Sequence, residues 1–251
     1  MVAAPAAVDA VARARRLPDL GVGLHLVLVD GIPALPRAEV LGLVRGDGAF
    51  DPNMTRAAFR YFFLPRIRNQ LVKEIRAQFE AFRATGLRLD HVNAHKHMHL
   101  HPTIAGLIID IGRDYGMRAV RLPSEPVRVL RRAFPKERYS VPFYSPWIEI
   151  LRRRLRRVGL VANDNIFGLA WSGSMVEQRL MRLLPLLPAG VSEIYLHPAT
   201  STSPTLAATM RGYRQEEEYS ALLSPAIKGS VAELGIRLVS YSDLSMTPID
   251  G

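Results

Sequence analysis

The chain has 251 residues, enough to bury a full core, and its 48% hydrophobic and 22% charged residues are the balance of a globular protein. It has no cysteine, which excludes disulfides and thiolate metal sites, and no apolar run reaches the roughly 18 residues that span a bilayer. The net charge of +10 is concentrated between Arg121 and Arg157, where eleven Lys or Arg face three acids, yet no nucleic-acid module accompanies it.

The chain alternates short β-like runs with helical stretches, the pattern of an α/β protein with parallel strands. The opening MVAAPAAVDA has neither the basic start nor the sustained apolar stretch of a signal peptide. With the absence of cysteine, this sets a cytoplasmic location as the expectation. A helix over Val8–Arg16 stops before Pro18, and Gly21–Val29 reads as a buried strand turned by Asp30-Gly31. Apolar residues recur at helical spacing from Thr55 to Thr85 (Leu71, Ile75, Phe79, Phe82), which predicts two helices broken near Pro65. Gly86 caps that stretch, and Leu87–Asn93 is the next expected strand.

A helix over Pro102–Tyr115 follows, then a short strand Met117–Leu122 stopped by Pro123. Residues 124–150, rich in proline and aromatics, read as loop. A helix at 147–158 carries the run LRRRLRR; its plain reading is a solvated face. Leu151, Leu155, Val158 and Leu160 between the arginines leave a peripheral contact with an anionic membrane open. A strand is expected near Asn165–Leu169 and a helix over Ser174–Leu184, with Ser174 and Glu177 as a capping box. Val191–Leu196 reads as a strand, Tyr213–Leu234 as a helix and Ile236–Tyr241 as a closing strand. No repeat or linker divides the chain, so residues 1–251 are expected to form a single domain.

Five of the seven histidines fall within eleven residues: His91, His95, His97, His99 and His101. All occupy odd positions, so in an extended backbone they would share one face. Packing alone explains such a set poorly, because each buried ring needs a hydrogen-bond partner. Imidazole is the commonest neutral metal ligand, and a metal or catalytic role follows for part of the cluster. The rest are expected to support the ligands or to face substrate, Asn93 and His99 among them. His25 lies in the strand GVGLHLVL, and His197 ends VSEIYLHP. Three predicted strands thus each deliver a histidine at or near a C-terminal end, where barrels of parallel strands build their sites.

The motifs GVGLHLVL, LDHVNAHKHMHLHPT and SEIYLHPAT resemble those of the YdjC-like carbohydrate deacetylases. PDLGVGLHLVLVDG, FEAFRATGL and YGMRAVRLPSEP are similar to the hopanoid-biosynthesis-associated HpnK branch. The resemblance runs over nearly the whole chain. It implies a distorted (β/α) barrel of the polysaccharide-deacetylase type. It also implies one divalent metal ion (Mg, Zn or similar) on His25 and His95 with an aspartate, and His197 as general acid. Arg121 falls near the family's site arginine and is expected to bind substrate. The implied reaction is hydrolysis of an N-acetylated amino sugar, extending in that branch to an acetylglucosaminyl hopanoid lipid at the inner membrane face.

The sequence departs from the family pattern at its start. Family members open with a strand ending in Asp-Asp followed by a helix, and Met1 falls inside a later family motif; no Asp-Asp pair occurs here. The expectation is a barrel without its first strand and helix, through a coding start placed late or a genuine fragment. Such a chain would bind metal weakly and turn over slowly. Asn93 stands where many relatives have aspartate. Two rival readings stay open: a two-metal amidohydrolase or phosphoesterase, which would need more carboxylates near the histidines, and a catalytically impaired barrel that binds a glycolipid or a partner, itself included as an oligomer.

Overall fold

The structure is a computed structural model and describes residues 1–140, 142–201, 203 and 210–244. These cluster into two compact units. Of the described residues, the first draws on those within 1–121, 146–162 and 239–244, and the second on those within 122–145 and 163–238.

In the first unit β1 (Val22–Leu26) pairs in parallel with β2 (Leu89–Ala94), in a register that sets His25 opposite Asn93. Two single parallel bridges continue the array, from Val92 to Val120 and from Ala119 to Val161. The expected strand Met117–Leu122 is reduced to these bridges, because Pro123 supplies no N–H to carry the ladder on. The helices are α1 (Ala7–Ala14), α2 (Met54–Phe63), α3 (Pro65–Arg83) and α4 (Pro102–Asp114). The break between α2 and α3 falls at Pro65, which opens α3 where its missing N–H costs nothing. Leu71, Ile75, Phe79 and Phe82 form the buried stripe of α3, as their spacing predicts. Burial of each such side chain stabilises the fold by roughly 1.5–3 kcal/mol.

Two buried polar groups of α3 fasten the chain that leaves β1. The Gln78 amide pairs with both the N–H and the C=O of Val27, at 2.9 and 2.7 Å. Glu74 accepts from the N–H groups of Ala34 and Leu35, at 2.8 and 3.1 Å. The C-terminal ends of the two strands are tied by an ion pair of 2.5 Å between Asp30 and Lys96.

In the second unit β3 (Asn165–Phe167) pairs in parallel with β4 (Ser192–Ile194). The core gathers Phe167, Trp171 and Met175 with Leu180 and Leu183 of α7 (Glu177–Leu183) and Val129 and Leu130 of α5 (Val127–Ala133). Helix α5 corrects the loop reading of 124–150: its buried residues Val129, Leu130 and Ala133 are only three, too few for a helical period to stand out among the prolines. Helix α6 (Ser145–Arg157), which belongs to the first unit from Pro146 on, lies close to its expected bounds.

The capping box does not form. Val176 occupies the N-cap with no side-chain hydrogen bond, and Ser174 closes a backbone turn onto Trp171. The helix expected over Tyr213–Leu234 is two, α8 (Gln215–Leu223) and α9 (Pro225–Glu233), divided where Pro225 removes a donor. The closing strand is absent: residues 236–240 have no regular structure and α10 (Tyr241–Leu244) follows. Among the described residues both sheets are two-stranded and open.

Candidate active site

In the first unit His25, His95 and Arg121 all stand at the C-terminal ends of adjacent parallel chain segments. His25 is the fourth of the five residues of β1, His95 directly follows β2, and Arg121 follows the bridged Val120. The Nε2 of His25 and the Nδ1 of His95 face each other at 3.5 Å, their rings edge-on at 73°. Two nitrogens bound tetrahedrally at 2.0–2.1 Å from one cation would lie about 3.3 Å apart. The rings therefore fit two positions of one coordination shell. Burial drives the His25 pKa down to about 3, and the amino terminus, His95 and Arg121 push the same way, against a hydrogen bond donated to the Asn93 oxygen that raises it. The ring is thereby kept neutral, the form that binds metal. Among the described residues no group of three or more His, Cys, Asp or Glu is placed to hold a metal ion.

Asn93 decides which nitrogen of His25 is available. Its amide is 2.6 Å from His25 Nδ1. With its oxygen towards His25, Nδ1–H donates and Nε2 keeps its lone pair for a cation. With the amide turned over, its N–H donates to Nδ1 while its oxygen accepts from the Arg121 guanidinium at 2.9 and 3.2 Å. The His25 proton then sits on Nε2, between the two rings. The turned orientation satisfies both His25 and Arg121 in the absence of a cation, and the other is the one that can take a metal.

The alternation expected of the five histidines ends at Ala94. Residues His95–Leu100 form a 3-10 turn in which Lys96 and His97 take φ of 50° and 55°, so the rings disperse. His97 and His99 meet edge-on at 5.9 Å, and His101 donates from Nε2 to the Ala58 carbonyl at 3.0 Å. His99 is 1% exposed; its Nδ1 accepts from the Ala94 N–H, and burial holds its pKa well below the ordinary value.

His91 stacks on Tyr241 at 4.5 Å and bonds Asp90 at 2.9 Å. Strand alternation predicts that Asp90 and His91 point apart; an irregularity in register between Val22 and Leu24 lets them meet. Burial alone would raise the Asp90 pKa, but hydrogen bonds from His91 and from Ser242 outweigh it and hold it at about 2. The His91 ring fits because Gly23 has no side chain: a Cβ there would meet it at 2.6–2.8 Å.

In the second unit His197 follows β4. Its Nε2 is 2.7 Å from the Tyr195 hydroxyl, its ring lies 5.0 Å from that of Tyr213, and its N–H donates to Glu218 at 2.6 Å. Glu218 is fully buried and also accepts from Met175 N–H at 2.7 Å. Tyr195 and Glu218 are site residues that the motifs did not single out. Tyr195 was within reach of the sequence, two residues before His197 and hence on the same face of an extended strand. Glu218, 21 residues further along, left no such signal.

Parallel strands that deliver a closely spaced imidazole pair at their C-terminal ends define an α/β protein with a candidate metal centre. The family model described as "YdjC-like protein" matches residues 1–233, and the chain belongs to that family. It is similar to a carbohydrate deacetylase of Vibrio vulnificus (strain CMCP6), with 31% identity over 251 residues, 99% of this chain and 85% of the relative. The carbohydrate deacetylase of Geobacillus stearothermophilus is 27% identical, over 95% of this chain and 82% of its own. The structure superposes on that of an Enterococcus faecalis V583 protein assigned provisionally to cellobiose-phosphate cleavage. The TM-score is 0.71 at 21% identity, over 98% of this chain and 86% of that one, which supports the fold.

Proposed function

We propose that the protein hydrolyses the N-acetyl group of an amino sugar, with one divalent metal ion such as Mg or Zn, as a single catalytic domain of the distorted-barrel type. The observation that carries this reading is the 3.5 Å separation of His25 Nε2 and His95 Nδ1 at adjacent strand ends. The names of the relatives support the substrate class. When bound, the metal would polarise the acetyl carbonyl and lower the pKa of water.

The chain's own residues supply binding, positioning and the acid, and none of them is assigned as the base that takes the proton from water. His25 and His95 would hold the ion, and with the ion bound Asn93 would keep the His25 proton on Nδ1. Arg121 supplies positive charge for the carbonyl oxygen. His197 donates a proton to the departing amine, a role that rests on the resemblance of SEIYLHPAT; Tyr195 and Glu218 hold it. The finer proposal is an acetylglucosaminyl lipid of the hopanoid branch, met from the cytoplasmic side of a membrane. Among the described residues no helix is long and apolar enough to cross one.

The test is acetate release from an N-acetylglucosaminyl substrate, with and without added divalent metal. Metal-dependent release that is lost in His95→Ala supports the reading. A second reading, a weakly active glycan-binding protein, is favoured by the two-residue donor set. Glycan binding without acetate release at any metal concentration would select it.

A further inference from the structure

We propose that α2 and the arginine groove beside it form a docking face for an anionic lipid bilayer. The proposal deepens the membrane-peripheral part of the functional reading and does not depend on deacetylation.

Helix α2 carries aromatic residues on both sides. Ala57 and Tyr61 face the core, and the Tyr61 hydroxyl donates to the Leu28 carbonyl at 2.7 Å. Phe59, Phe62 and Phe63, at positions i, i+3 and i+4, form the opposite face and are 64%, 55% and 57% exposed. Their rings touch, with centroids 4.4 and 4.8 Å apart, so they make one patch. At roughly 200 Å² per aromatic side chain, about 350 Å² of apolar surface lies open. A contiguous patch of this size matches the largest apolar patch of a typical monomer, which is often functional.

The patch runs directly into positive charge. Phe62 lies 6.0 Å from His101, which is fastened to Ala58 of the same helix. The next residue, Pro102, accepts from the Arg154 guanidinium at 2.8 Å. Here opens a groove of about 420 Å³ lined by Arg68, Arg154 and Arg157, with Ile109, Val158 and the single acid Asp110. Charge complementarity selects an anionic occupant for this groove. The adjoining rings select an occupant with an apolar layer next to its anionic one. A bilayer of anionic phospholipid offers both in that order, with rings entering the headgroup–acyl boundary and guanidinium groups meeting the phosphates.

The experiment is sedimentation of the full chain with phosphatidylcholine vesicles, with and without phosphatidylglycerol. The chain is expected to bind the anionic vesicles and not the neutral ones. Replacing Phe59, Phe62 and Phe63 by Ser should weaken binding about tenfold or more, as should Arg68→Glu with Arg157→Glu. Far-ultraviolet circular dichroism checks that each variant folds, and Phe62→Ser alone serves if the triple variant does not. Cleavage of a soluble N-acetylated sugar, if the chain performs it, should be kept in all of them, which separates this surface from the site. No binding to anionic vesicles, equal binding to neutral ones, or unchanged binding in either variant would overturn the proposal. So would a dimer that the Phe variants abolish without vesicle binding, since the patch would then belong to a second copy of the chain.

Discussion

Replacing Asn93 by Asp should raise metal affinity, and the size of the gain follows from the hydrogen bonds. The Asn93 amide has one acceptor for two donors: His25 Nδ1 at 2.6 Å, and Arg121, whose nitrogens are 2.9 and 3.2 Å from the other amide atom. To leave His25 Nε2 free for a cation, the oxygen must face His25, and the amide N–H then faces the guanidinium. A hydrogen bond to a charged group is worth about 1.5–3 kcal/mol, and loading the metal forfeits that unless Arg121 moves. An aspartate offers an oxygen to each side and removes the conflict. At 1.4 kcal/mol per tenfold, dissociation constants should fall by about 10–100-fold, the range reported for partners that orient metal-bound histidines.

Titration with Co(II) or Zn(II) by calorimetry measures this directly. Nitrogen-15 spectra of the metal-free protein should place the His25 proton on Nε2 in wild type and on Nδ1 in Asn93→Asp. An affinity unchanged within twofold, or an Asn93→Ala variant that binds as tightly as wild type, would refute the reasoning.

Acid should destabilise the fold in two stages. Burial lowers the pKa of His25, to about 3, and of His99 and His101, so in each case the unfolded chain binds the proton more readily. Their contribution is complete above the ordinary histidine value near 6.5 and is lost as pH falls towards about 3. Asp90 and Asp51, each held at about 2, lose theirs between the ordinary value near 3.8 and about 2. Scanning calorimetry should therefore show Tm falling from pH 6.5 downward and more steeply below 4; a flat Tm between pH 6.5 and 4 would contradict the histidine part. Gly23→Ala should cost about 1–3 kcal/mol in urea unfolding, because its Cβ would displace the His91 ring from Tyr241 and Asp90. Glu218→Ala should cost at least about 1–3 kcal/mol by leaving the buried N–H groups of Met175 and His197 without their acceptor. A loss under about 0.5 kcal/mol would mean that the loops close without it.

The legible parts of this molecule are those whose partners lie close in sequence or whose pattern repeats. The split of α2 from α3 at Pro65 and the buried stripe Leu71–Phe82 could be read because proline and a 3.6-residue period act locally. So could the meeting of His25 and His95, since two parallel strands with histidines at their ends bring those ends together. What alternation could not give is where a strand stops. His97 and His99 leave the strand face because Lys96 and His97 enter the left-handed region, a conformation that nothing in their residue types announces. The Asp30–Lys96 ion pair spans 66 positions and fastens that turn, so its cause is tertiary. The same holds for Asp90, whose partner Ser242 lies 152 residues away, and for Gly23, whose need for a bare Cα shows only once the His91 ring is in place against it. Asn93 is the sharpest case. Its neighbours in sequence show a polar residue at the end of a strand, whereas its effect on His25 comes from the guanidinium of Arg121 on the far side of the amide, delivered by a separate chain segment. Local pattern thus locates the paired histidines, and long-range contacts decide which of their nitrogens carry protons.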